Sequence, residues 1–76
     1  MNIAFEITID DVETVIENND LVIPDGSDAE SLFDDLDTDT VEHEALRGDS
    51  MDEQIKFAHA EILKQLEVII EEAKNV

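Results

Sequence analysis

Seventy-six residues are enough for one small domain, near the size limit at which a hydrophobic core alone can hold a fold. The absence of cysteine excludes disulfides and thiolate metal sites and suits a reducing cytoplasm. Twenty-two Asp and Glu against four Lys and Arg give a net charge of −18, which excludes direct binding to nucleic acid or to anionic membranes, since both require a basic surface.

The opening NIAFEITI alternates, with Ile3, Phe5, Ile7 and Ile9 on one side, and predicts a short strand or extended N-terminal arm. The start MNIAFEITIDD lacks the basic residues of a signal peptide, and no apolar run approaches the ~20 residues needed to span a bilayer. From Thr8 the period changes. Thr8 and Asp11 are spaced as a capping box, and Ile9, Val12, Val15 and Ile16 follow at helical spacing, with an end expected at Asn18-Asn19. Leu21-Val22-Ile23 is an apolar connection and Pro24-Asp25-Gly26 a turn.

Ser27 and Glu30 form a second box ahead of Ala29, Leu32, Phe33 and Leu36. Asp39 with Glu42 opens a third helix, with Val41, Ala45 and Leu46 on its apolar side and Gly48 as its stop. Ser50 and Glu53 open the longest element, over residues 51–74. The expected fold is mainly all-α: a single acidic domain over residues 1–76, with four helices, an extended N-terminal arm and a long C-terminal helix.

In that last helix Ile55, His59, Ile62, Leu66, Ile69, Ala73 and Val76 alternate at spacings of four and three, and Ala58, Leu63 and Ile70 broaden the stripe. Its length would be ~36 Å, against roughly 30 Å for the diameter of a compact chain of this size. It should therefore overhang the domain, which makes Ile62, Leu66, Ile69 and Ala73 a candidate homodimer seam.

Few residues suggest chemistry. Asp35, Asp37 and Asp39 alternate like the first ligands of a calcium loop, but the sixth position is Thr40 and the twelfth Leu46, where such a loop needs Gly and a bidentate Glu. His43 and His59 lack the spacing of a zinc pair. No catalytic residues, metal or cofactor are expected. GDSM at residues 48–51 resembles the serine site of acyl carrier proteins. In that family the serine opens the second of four helices, whereas Ser50 opens the last, and helix capping accounts for it.

The charge itself remains. Ordinary small domains carry net charges of magnitude about 2–8, and a larger excess opposes compaction, so −18 points to a use. Duplex DNA carries one charge per ~1.7 Å of axis, so this charge corresponds to ~30 Å of duplex, about the diameter of the domain. Short, cysteine-free, acidic and without a catalytic motif, the chain resembles the small acidic proteins that bacteriophages and mobile elements direct against host restriction, repair, replication and CRISPR enzymes, DNA mimics among them. The resemblance is one of type and carries over no individual residue. It implies a bacterial cytoplasm, no enzymatic activity, and a basic nucleic-acid-binding protein, whether host enzyme or defence complex, as partner. The candidate contact residues are Asp34, Asp35, Asp37, Asp39, Glu42, Glu44, Asp49, Asp52 and Glu53. The alternative is a structural or regulatory module acting through the seam of the last helix, or an acyl-carrier-like protein.

Overall fold

The computed structural model describes residues 6–74, which form four helices: α1 (Ile9–Asn18), α2 (Ala29–Asp35), α3 (Thr38–Ala45) and α4 (Met51–Lys74). The protein is all-α with a long C-terminal helix, as the periodicity predicts. Ile3 and Phe5 of the predicted arm and Val76 of the predicted seam lie outside the described residues. Among the described residues there is no strand; Thr8 is extended, and Ile7 joins the core.

α4 organises everything else. Ala58, Ile62 and Leu66 are fully buried along one side of it, and Val12, Val15, Leu32, Val41 and Ala45 pack onto that stripe from the other three helices. α3 lies antiparallel to α4: its start meets Gln65 and the chain just past its end meets Gln54. α1 runs parallel to α4, with Asp11 beside His59 and Asp20 in a groove with Glu67 and Glu71. Seven- and eight-residue helices such as α2 and α3 are marginal in isolation, so contact with α4 and the caps at their ends hold them. The molecule is accordingly elongated, 41 × 21 × 16 Å, with α4 setting the long dimension. The expected overhang shrinks to the last turn, because Ile70 is still buried while Glu71, Glu72 and Ala73 are exposed.

Two helix starts differ from expectation. α2 is capped by Asp28 rather than Ser27: the Asp28 carboxylate accepts from Ser31 N–H (2.9 Å), and the Ser31 hydroxyl accepts from Asp28 N–H (3.1 Å). Ser27 instead closes the preceding turn, its N–H donating to Pro24 C=O (3.1 Å) around Gly26 at φ +86°. α3 has its cap two residues before the predicted Asp39. Asp37 caps it, taking the Thr40 N–H (3.2 Å) and hydroxyl (2.7 Å), while Gln65 holds the Asp37 backbone from α4 (2.8 and 3.3 Å).

Gly48 follows the end of α3, its N–H donating to Ala45 C=O (3.0 Å), but its φ is not positive. It is buried where α4 begins, and a Cβ there would lie 2.6 Å from Gln54 N and 2.8 Å from the Glu53 carbonyl carbon. The left-handed residue is Asp20 (φ 51°), which ends α1: its N–H donates to Glu17 C=O, and Leu21 N–H donates to Ile16 C=O.

These two sites give opposite expectations. Gly48→Ala should destabilise the fold by about 1–3 kcal/mol, because the clash is with backbone. Asp20→Gly should stabilise it by roughly 0.5–1 kcal/mol, by removing a side chain from the left-handed region. Urea unfolding followed by circular dichroism reads both, and equal midpoints for the two variants would contradict the assigned roles.

Candidate partner-binding surface

No acidic side chain is buried, and only Asp11, Glu42, Glu44 and Glu61 are even partly covered. Among the described residues two carboxylates have a basic neighbour within ion-pair distance. Glu44 meets Arg47 at 2.8 Å, and Asp11 meets His59 at 3.0 Å. The Arg47 guanidinium also lies over the Phe57 ring (5.6 Å), so this cation is held within the protein. The rest of the negative charge faces solvent largely uncompensated.

The nine carboxylates singled out in the sequence do not make one unbroken face. Asp34 and Asp35 are the exposed last residues of α2, and Asp39 is exposed in the first turn of α3. Glu42 and Glu44, two residues apart on a helix turning ~100° per residue, project from opposite flanks of α3, with exposed His43 between them. Asp49, Asp52 and Glu53 cluster at the start of α4. The set is therefore two acidic groups, at the two ends of α3, separated by the ~18 Å of α4 between Glu53 and Gln65.

Two of the nine also have structural roles. Asp37 caps α3, and the Glu53 carboxylate accepts from Asp49 N–H (2.8 Å) at the α4 start. Ser50 of the GDSM stretch accepts from Glu53 N–H (3.2 Å) as the α4 cap. The α1 stripe Asp10, Glu13 and Glu17, exposed at i, i+3 and i+7, was not among the sequence candidates, although its spacing shows it.

The two sequence-derived candidate sites meet at one place. An open groove of about 250 Å³ has Asp35 and Asp37 on one wall and Lys64, Val68 and Ile69 of α4 on the other, with Gln65 tying the walls together. Of the seam residues, Ile62 and Leu66 are fully buried against the domain's own helices and cannot face a second copy. Ile69 is partly covered and Ala73 exposed. Val68, an apolar residue on the outward side, is 54% exposed. Among the described residues no three His, Cys, Asp or Glu side chains converge as a metal site, and no helix is long and apolar enough to cross a membrane.

The ionisation of Asp37 is displaced. The Thr40 hydroxyl bond, then the Thr40 N–H bond, holds it below the ordinary value of 3.8. A group lowered in this way stabilises the fold at pH values above 3.8, and that contribution disappears as pH falls through the lowered value. Thr40→Val removes the larger cause, so the Asp37 midpoint in a carboxyl NMR titration should rise toward 3.8. An unmoved midpoint would show that the hydroxyl is not responsible.

No family model matches the chain, nor does any curated protein or solved structure.

Proposed function

We propose that the protein is an acidic binding protein that occupies the basic nucleic-acid-binding groove of another protein and blocks it, as a DNA mimic does. One observation carries this reading: the carboxylates are held outward on a helical scaffold, almost all without a cationic neighbour among the described residues. A charge spread this way acts at long range, steering a basic partner toward contact, and it is screened over about 10 Å at 0.1 M salt. Two acidic groups about 18 Å apart, linked by α3, also suit a groove built to follow a duplex better than they suit a single cation. Bacteriophage inhibitors of host restriction, repair or CRISPR enzymes are the type this resembles.

The structure indicates which residues test the reading without disturbing the fold. Asp34, Asp35 and Asp39 are exposed and carry no cap, unlike Asp37 and Glu53. The triple variant Asp34→Lys, Asp35→Lys, Asp39→Lys should keep its helical spectrum and lose the partner. Captured from bacterial lysate by the wild-type protein, partners should be nucleic-acid-binding proteins released by competing duplex DNA. Affinity for them should fall by roughly an order of magnitude or more from about 50 to about 300 mM salt. Capture that resists both salt and duplex, or that survives the triple reversal, would rule the reading out.

A further inference from the structure

We infer that the outer surface of the last three turns of α4 is a docking groove for a cationic amphipathic helix of the partner protein. This rests on the reading of the acidic surface as a partner-binding one and names what part of the partner it takes.

The positions of the carboxylates separate those the fold needs from those it does not. Asp10 and Asp11, Asp28, Asp37, and Asp52 with Glu53 sit at helix N-termini, where caps and the positive end of the backbone dipole favour them. Asp35 ends α2, and Glu71 and Glu72 fall in the last turns of α4, at dipole ends that oppose negative charge. Glu17, Asp34 and Glu44 also fall in last helical turns, Glu17 and Glu44 of them elsewhere on the molecule, whereas Asp35, Glu71 and Glu72 border one surface. The groove of about 250 Å³ beside Asp35 shares Lys64 and Val68 with an open face of α4 itself, which Glu67, Glu71 and Glu72 complete. That face shares Glu67 and Glu71 with a second groove, of about 340 Å³, whose apolar side is Leu21, Val22 and Ile70.

The result is a continuous band with two exposed aliphatic side chains, Val68 at 54% and Val22 at 74%, set among carboxylates and Lys64; Leu46 and Met51 are comparably exposed elsewhere. Pure charge mimicry requires no apolar contact. Apolar residues with acids on either side match a helix that has aliphatic anchors at i, i+3/i+4 and i+7 and Lys or Arg flanking them. From Lys64 to Glu72 the band runs ~12 Å along α4, about two turns of such a helix. A second copy of this chain fits poorly, because it would bring −18 against −18.

The probe is a synthetic fourteen-residue helix of Leu and Lys with leucines on one face, compared with an oligolysine of equal charge. At about 150 mM salt the amphipathic peptide should bind the full chain one to one. Val68→Asp should weaken it at least about tenfold, and Val68→Ser by less. Oligolysine should bind more weakly and ignore both substitutions. Amide shifts on peptide binding should concentrate on residues 64–72 and 35–37. Equal affinity of Val68→Asp and wild type, or shifts centred on Asp10, Glu13 and Glu17, would overturn the groove. A dimer of the full chain that Val68→Asp separates would overturn it too, showing that the band is filled by a second copy. If Val68→Asp has no effect while triple reversal of Asp34, Asp35 and Asp39 still abolishes lysate capture, the groove fails and the broader acidic-surface reading stands.

Discussion

Everything in this molecule hangs on the apolar stripe of α4. Ile62 and Leu66 are fully buried there, and every other described helix gains stability by lying against that stripe. A chain of net charge −18 pushes its own segments apart, and a 76-residue core offers limited burial to resist. The stripe therefore has two effects. It makes α2 and α3 possible despite their length, and it forces the acids to the outside by claiming the inside for Val, Leu and Ile. The same arrangement leaves most of the carboxylates on a rigid scaffold without a cationic neighbour among the described residues.

The acids are not interchangeable. A carboxylate at a helix N-terminus accepts backbone N–H groups that would otherwise lack partners, so Asp28 and Asp37 support the fold whatever the protein binds. Asp35, Glu71 and Glu72 oppose their own helix dipoles and are exposed, and among the described residues no hydrogen bond holds them. Charge number alone cannot make this distinction; position on the helix can. It also brings the acidic surface and the C-terminal helix together, two readings that compete when only the sequence is considered. Asp35 and Ile69 line the same groove.

The parts of the fold set by local pattern were legible in the sequence. α4 is bounded at 51–74 because Ser50 caps its start and a heptad-like stripe runs through it. α1 is framed by Thr8 and Asn19 for similar local reasons. Where two registers satisfy the same rule, local pattern fails. In SDAES both Ser27–Glu30 and Asp28–Ser31 have cap spacing, and the choice falls to the Pro24 turn, which takes the Ser27 N–H. In DTDT both Asp37 and Asp39 can start a helix, and Gln65, twenty-eight residues away, selects Asp37. The candidate site was half legible for the same reason. Its acids are plain in the sequence, but only packing shows that Ile62 and Leu66 are covered while Val68 is not. Val68 did leave a trace, as an apolar residue one step off the stripe.

A partner that neutralises this surface should also relieve the strain the surface imposes. Carboxylates at the ends of α2 and α4 destabilise the free protein modestly, and cations placed beside them in a complex would remove that penalty. Binding and stability are then linked: any ligand that favours the folded state raises its stability in proportion to the logarithm of its concentration over its dissociation constant. Acids at unfavourable helix ends would then act as a reserve that a cationic partner releases. Asp35, Glu71 and Glu72 stand beside exposed Val68, where a partner carrying both charge and apolar area would reach them together.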